Sequence, residues 1–375
     1  MKHVSKPSII ISTYDDIKNP FYGGGGAIAV HEVAKRLLKK YDVTVLSWDY
    51  SGKKKETLDT VPYERFGKKS LSPKAAMFAY QMALPLQVMK RKYDVWMESF
   101  CPPFTTAMLP RYTAKPVLGI VHMLASEDME RKYKLPFHVL ENAGLKQYDN
   151  IIVTSDQIKK KVQTVTPNAD IQTISNGIEK VYNTRVKREK YVLFLGRIEI
   201  DQKGLDLLIP AFKAFNEQKK NSYQLIIAGT GDVKEMTTLK KLIKNAGMTK
   251  YTKLVGRVQG NKKTDLIRKA ACVVVPSRFE TYSLVALEAL AHGTPLVCFP
   301  IKGLSWIKDT LATKAKKLDS ESLTKAIFQV VTDTKISDTK VTAGKAYAKQ
   351  FTWDEIAKQY AKKIDEVLRV GHTHA

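Results

Sequence analysis

Ten short apolar runs punctuate this chain: SIIIST, DVTVLSW, DVWMESF, PVLGIVH and NIIVTS, then YVLFLG, YQLIIAG, TKLVGRV, CVVVPS and TPLVCF. Each is strand-length and rich in apolar, β-branched or aromatic residues, and helical patterns fall between them. Near-continuous Val/Ile/Leu runs of this kind mark strands buried on both faces, which is the situation in parallel sheets covered by helices. The expected fold class is therefore α/β throughout. A polar, basic stretch, SNGIEKVYNTRVKREK, divides the two sets of runs, and 375 residues is about twice a typical domain. Two sequential Rossmann-like, doubly wound domains are expected, residues 1–183 and 184–350, with ligands at the carboxyl ends of their strands and a cleft between them.

Formal charge is +25, which points to polyanionic company: nucleic acid, anionic lipid or phosphorylated substrates. The excess is spread, with 28 Lys+Arg against 18 Asp+Glu in residues 1–186 and 34 against 19 in the remainder. No basic arm results, so nucleic acid is not the expected partner. Cys101, Cys272 and Cys298 are odd in number and have no CxxC spacing, which suits buried thiols in a reduced compartment better than a disulfide framework or metal site. The amino-terminal run is too short for a secretory signal, and no stretch approaches 18 apolar residues. A cytoplasmic protein is expected.

Three loops carry chemistry. Gly23 to Gly26 follow the first strand and precede a helix, where glycine lets backbone N–H groups approach a phosphate and the helix dipole favours the anion. A flexible strand-to-helix turn fits the same residues. In FLGRIEIDQKG, Arg197 and Lys203 lie at the end of a strand and the start of a helix, where two fixed cations suit a diphosphate whose charge grows as a glycosyl bond breaks. In a chain with 62 Lys and Arg, solvated surface cations fit as well. In SRFETYSLVALEALAHGTP, Glu280 is expected in a loop and Glu288 nearly two turns inside a helix closed by Gly293. The N–H groups of Tyr282, Ser283 and Leu284 are the expected first-turn donors for a phosphate. Carboxylates accept hydrogen bonds from vicinal hydroxyls and repel phosphate, so a nucleotide sugar with its sugars at the glutamates suits both. Singly, Glu280 as a dipole partner and Glu288 as a polar-face residue are adequate readings. His122, ending PVLGIVH, is placed to donate to a sugar hydroxyl or to steady a charged transition state, though a lone histidine is more often structural; His31, His292, His372 and His374 are read as structural or as part of the tail.

Together these segments resemble the retaining nucleotide-sugar glycosyltransferases of GT-B fold, specifically glycosyltransferase family 4. The likeness runs through the glycine loop, ISNGIE, GRIEIDQKG, VGRV and above all PSRFETYSLVALEALAHGTPLV, which fits the family's Glu-x7-Glu motif with its following Gly-x-Pro. The resemblance implies that Glu288 binds the donor ribose and Glu280 the transferred sugar. It implies that Arg197 and Lys203 hold the diphosphate, with His122 as the active-site histidine and Gly24 and Gly25 on the phosphate side. The backbone near Arg257 and Val258 would flank the base. It further implies retention of anomeric configuration, a UDP- or GDP-sugar as co-substrate, no other cofactor and no metal, which agrees with the lack of an Asp-x-Asp anchor. The closing segment, residues 351–370, resembles the family's C-terminal helix that returns to the first domain. Ser283 stands where the family commonly has Gly, and IKGLSWIKD replaces a glycine-rich stretch that ends in glutamate.

The acceptor is expected on residues 1–180. KKSLSPKAAMFAYQMALPLQVMKRKYD joins an apolar body to basic ends (Lys68, Lys69, Lys74, Lys90, Arg91 and Lys92), which fits either an anionic membrane surface or a core-packed crossover helix kinked near Pro85. The working expectation is sugar transfer to a hydroxyl acceptor, a lipid or lipid-linked glycan, at the cytosolic face of a membrane. The alternatives are a GT-B-like epimerase or phosphorylase, and a noncatalytic polyanion-binding protein.

Overall fold

A computed structural model describes residues 6–19, 24–69 and 72–373. The chain forms two compact units: Met1–Gly177 together with Trp353–Ala375, and Ile178–Thr352. Residues 178–183, assigned from sequence to the first domain, fall in the second, because Ile178 donates its N–H to Phe351 O and Tyr182 donates to Ala291 O.

The first unit holds strands β1 (Ser8–Ser12), β2 (Asp42–Trp48), β3 (Lys55–Leu58), β4 (Val61–Phe66), β5 (Val95–Ser99), β6 (Val117–Val121), β7 (Asn150–Val153) and β8 (Asp170–Thr173). Their order is β3-β4-β2-β1-β5-β6-β7-β8, and every pairing is parallel except β3 with β4. The β3–β4 hairpin was not apparent as a pair of apolar runs. β3, at the edge, carries exposed Lys55 and Thr57, β4 beside it alternates buried and half-buried residues, and the turn residues Asp59 and Thr60 have positive φ. The second unit holds β9 (Tyr191–Leu195), β10 (Gln224–Ala228), β11 (Thr252–Gly256), β12 (Cys272–Val275), β13 (Leu296–Cys298) and β14 (Thr313–Lys314), in the order β11-β10-β9-β12-β13-β14. Of the ten apolar runs, TKLVGRV alone becomes an edge strand, and Lys253 and Leu254 are exposed there.

Helices cover these sheets: α1 (Gly25–Leu37), α2 (Pro73–Lys90), α3 (Ser126–Tyr133), α4 (Phe137–Leu145) and α5 (Asp156–Val165) in the first unit, then α6 (Leu205–Gln218), α7 (Val233–Asn245), α8 (Gly260–Lys269), α9 (Leu284–His292), α10 (Ser320–Thr332) and α11 (Thr334–Ala348) in the second. The last helix, α12 (Trp353–Thr373), belongs to the first unit. Its helically spaced Trp353, Ile356, Tyr360, Ile364 and Val367 are all buried, so one stripe is core. Its polar side is tied down as well: Tyr41 Oη donates to Asp365 Oδ1 at 2.7 Å and Arg36 Nε to Asp354 Oδ1 at 2.7 Å. No helix among the described residues is long and apolar enough to cross a membrane.

Both sheets contain a reversal of winding order. In the second unit the chain winds from β9 through β10 to β11 and then returns to β12 on the other side of β9. In the first, β1 leads to β2 on one side and β5 lies on the other. Loops leaving such neighbouring strands diverge over opposite faces and leave a crevice, the usual ligand position in an open α/β sheet.

Candidate active site

At the β9/β12 reversal, the loop after β9 meets the loop after β12. Arg278 N–H donates to Gln202 O at 2.9 Å, and the Arg278 guanidinium forks onto Asp206 at 2.8 and 2.6 Å. Gly204 takes φ +64° and lies so close to Pro276 that a Cβ would fall 1.9 Å from the Pro276 carbonyl oxygen, which explains the glycine of QKG. This stitching delivers Lys203 to Glu280, with Nζ 2.7 Å from Oε1. The Ser277 hydroxyl donates to the same oxygen at 2.7 Å. Both ion-pair side chains are only 12–15% exposed, so solvent screens them little.

Helix α9 begins at Leu284, with Ser283 as its cap: the Ser283 hydroxyl accepts from Ala286 N–H at 3.3 Å. Tyr282 therefore lies outside the helix, and the first turn is Leu284, Val285 and Ala286, a shift from the donors expected. The Tyr282 ring stacks on Trp306 at 4.9 Å, and Trp306 on Tyr347 at 6.0 Å. Gly303, inside the divergent IKGLSW stretch, meets the Glu280 backbone, where a Cβ would come within 1.7 Å of the carbonyl oxygen. That stretch thus forms the floor under Glu280.

Glu288, on the same helix, accepts from Lys263 Nζ of α8 at 2.5 Å through Oε1. Its other oxygen, Oε2, is buried and has no partner among the described residues. A buried acceptor left open carries the desolvation penalty of an unmade hydrogen bond until a donor arrives. His292 donates from Nδ1 to the Glu288 carbonyl oxygen at 2.7 Å, which fixes the helix end beneath the carboxylate.

Arg197 sits in the same loop as Lys203 but is largely exposed, 3.5 Å from Glu199. Around it, three strand-end loops touch backbone to backbone. Gly196 N–H donates to Ala228 O at 3.0 Å, Ile198 to Thr230 O at 2.9 Å and Gly229 to Gly256 O at 2.8 Å. A Cβ on Gly229 would lie 1.7 Å from Gly196 O, and one on Gly231 2.3 Å from Ile198 O. The Gly229-Thr230-Gly231 turn is not among the loops singled out from sequence, although a Gly-x-Gly directly after a strand is a signal for it. Arg257 is exposed and Val258 buried just beyond this contact. Also missed were Ser277 and Lys263, neither of which belongs to a spaced motif.

In the first unit His122 follows β6, and both ring nitrogens are buried without partners among the described residues. Burial lowers its pKa to about 4, so the ring is neutral near pH 7. A neutral imidazole offers one N–H donor and one acceptor. The ring lies against the first turn of α1: a Cβ on Gly26 would sit 3.5 Å from His122 Cδ2. Gly25 is the first helical residue and Gly24 the cap, whose N–H is already taken by Asp15 Oδ2 at 3.1 Å. As folded here, that donor is held by a carboxylate rather than left for a phosphate. Gly23 lies outside the described residues, as do Ser70, Leu71 and His374.

Two further carboxylates shape this unit. Glu141 accepts from Ala125 N–H at 2.9 Å, Ser126 N–H at 3.1 Å, the Ser126 hydroxyl at 2.5 Å and the Thr105 hydroxyl, pinning the segment that follows His122. Glu98, the penultimate residue of β5, accepts from Ala107 N–H at 2.7 Å and from the Tyr148 hydroxyl, and burial pushes its pKa up to about 7. Among the described residues no group of three or more His, Cys, Asp or Glu side chains is placed to hold a metal ion.

Comparison with known proteins agrees with this architecture. Residues 176–349 match the family Glycosyl transferases group 1, and residues 23–180 match Glycosyltransferase Family 4. An uncharacterised glycosyltransferase of Methanocaldococcus jannaschii is 28% identical over 302 residues, 72% of this chain and 74% of that protein. Among solved structures, sucrose-phosphate synthase from Thermosynechococcus elongatus superposes with a TM-score of 0.82 at 20% identity, covering 97% of this chain and 100% of that one. An Anabaena protein in complex with UDP and glucose gives 0.75 at 16% identity, covering 96% and 100%. With family matches that together span residues 23–349, a parallel-sheet α/β domain in each unit and solved neighbours of GT-B fold, the chain belongs to glycosyltransferase family 4.

Proposed function

We propose that this glycosyltransferase moves a hexose, with retention of anomeric configuration, from a UDP- or GDP-sugar to a hydroxyl of a lipid or lipid-linked glycan at the cytosolic face of a membrane. The observation that carries the donor half is the buried, open Oε2 of Glu288 one helix turn and a half from the cap that follows the Lys203–Glu280 pair. A ribose hydroxyl is the donor that this oxygen lacks. Similarity to an Anabaena fold solved with UDP and glucose supports the same ligand class.

In this reading Lys203 and Arg197 oppose the diphosphate charge as the anomeric C–O bond breaks. Lys203 exchanges part of its attraction for Glu280 with the ligand, which frees Glu280 to accept from the transferred sugar. The acceptor oxygen bonds to the anomeric carbon on the face the diphosphate leaves, and its proton passes to a departing phosphate oxygen. His122, neutral, donates one hydrogen bond to a hydroxyl of the transferred sugar. The cations fill the electrostatic role that a metal would otherwise take, so activity is expected to persist in EDTA.

The test is a thermal-shift and hydrolysis screen against UDP-, GDP- and ADP-sugars with Glu288→Ala and Lys203→Ala alongside wild type. One donor should stabilise wild type and be hydrolysed slowly, with both effects lost in the variants. Donor turnover into an isomer, or dependence on free phosphate, would instead mark an epimerase or phosphorylase. Salt-sensitive polyanion binding with no donor affinity would move the noncatalytic reading ahead.

A further inference from the structure

Helix α2 is apolar on two opposite sides. Ala76, Tyr80, Leu84 and Val88 are buried in the first unit's core. Facing away, Phe78 is 49% exposed, Met82 61%, Leu86 50% and Met89 55%. At 100° per residue these four fall within about 80° of arc, forming a stripe roughly 16 Å long. The helix runs unbroken from Pro73 to Lys90 with Pro85 inside it. A core-packed crossover helix needs only the first side, so the second has no internal explanation.

The stripe does not end at the helix. The Phe78 ring meets Phe104 edge-on at 5.7 Å, Phe104 stacks on Phe137 at 6.2 Å, and Phe137 lies 6.0 Å from Tyr133. Beyond them Leu135, Val139 and Leu140 are exposed on the α3–α4 hairpin, which follows β6 and His122. Scattered apolar side chains are ordinary on a protein surface; a continuous run over three helices is an interaction surface.

Charge identifies the partner. Residues 67–93 contain six cations, Lys68, Lys69, Lys74, Lys90, Arg91 and Lys92, and no carboxylate. Arg91 is engaged by Glu64, but Lys68, Lys69, Lys74, Lys90 and Lys92 are exposed at the two ends of the stripe. Large apolar side chains along the middle and lysines at the ends match a bilayer boundary, with acyl chains below and anionic headgroups around. A second copy of this chain would have to bring the same lysines together.

We propose that α2 and the adjoining Phe104–Leu140 ridge seat the first unit on an anionic lipid surface, with Phe78, Met82, Leu86 and Met89 in the headgroup and acyl boundary. The ridge then lies between that surface and the loop after His122, so a lipid-borne acceptor would reach the loop without leaving the membrane. The surface deepens the lipid-acceptor reading above, but its binding to lipid needs no donor.

The test is flotation of the full chain with phosphatidylcholine vesicles and with vesicles containing phosphatidylglycerol, at low and high salt, with sedimentation velocity in parallel. Wild type should float with the anionic vesicles only, less at high salt. The Met82→Gln/Leu86→Gln pair should weaken binding roughly tenfold or more, and Lys90→Gln/Lys92→Gln should flatten the salt dependence. Both positions of the first pair are exposed, so their melting temperature and donor-induced thermal shift should match wild type. A lost donor shift in wild type would overturn the donor reading while leaving flotation intact. Absence of flotation, equal flotation by the Met82/Leu86 variant, or a dimer that this variant dissolves would overturn the lipid surface.

Discussion

Each unit carries two conspicuous carboxylates at the ends of its strands or near them, and they are held in opposite ways. In the second unit, Glu280 and Glu288 are each paired with a lysine, and Glu288 keeps one oxygen open. In the first, Glu141 collects four hydrogen bonds and Glu98 is fed by an amide and a phenol, with no cation on either. A carboxylate facing a flexible ammonium can trade partners when a ligand enters, because one ion replaces another. A carboxylate saturated by fixed amides and hydroxyls cannot do so without orphaning several donors at once. The first arrangement suits chemistry, and the second organises loops.

The sharpest break in that comparison comes from Glu280→Ala. It should lower donor turnover by roughly a hundredfold or more, read as initial hydrolysis rate, with the fold retained by circular dichroism. Unchanged turnover would place Glu280 with the structural carboxylates. Glu141→Ala should instead unfold the first unit more easily, by about 2–4 kcal/mol in denaturant titration, since it strands buried donors beside Ala125 and Ser126. The donor-induced thermal shift should survive wherever the variant is folded.

A pH series sharpens the contrast further. Because the native pKa of Glu98 lies near 7, above that of the unfolded chain, the native state holds a proton that the unfolded state has lost. Stability should therefore fall as pH rises from about 4.5 to about 7, by up to roughly 3 kcal/mol. Glu98→Gln should remove that slope. His122, whose native pKa is lowered, acts in the opposite sense and loses stability as pH falls from about 6.5 to about 4. The two slopes overlap, and only the variant separates them.

The smallest effect belongs to Arg197→Ala. The side chain is 68% exposed beside Glu199, so stability should change by less than about 0.5 kcal/mol. Nucleotide-diphosphate affinity, measured by titration calorimetry, should nonetheless drop several-fold, and an unchanged affinity would remove Arg197 from the diphosphate.

Much of this is legible in the sequence, and the features that are not share a physical cause. Strand runs such as DVTVLSW coincide with β2 to the residue, because a strand buried on both faces leaves no choice but continuous apolar side chains. The β3–β4 hairpin escaped because Lys55 and Glu56 on edge strand β3, and Pro62 and Glu64 alternating along β4, leave neither strand a continuous apolar run. In the glutamate motif, the loop and helix placement followed from Gly293 and the apolar run, whereas the cap at Ser283 shifted the first-turn donors by two residues. The apolar body of α2 was visible, but a helix apolar all round has no periodicity to reveal which side is core.

The sequence by itself determined the α/β class, the two-unit organisation and the family, since these rest on local periodicity and on motifs read within single segments. Only the tertiary structure decided that Lys203 meets Glu280 from 77 positions away and Lys263 meets Glu288 from 25. It likewise decided which glycines face a carbonyl and which face of α2 is left to solvent. The reason is topological: the first meeting depends on β9 lying beside β12, an adjacency created by the winding of the sheet and written in no local stretch of residues.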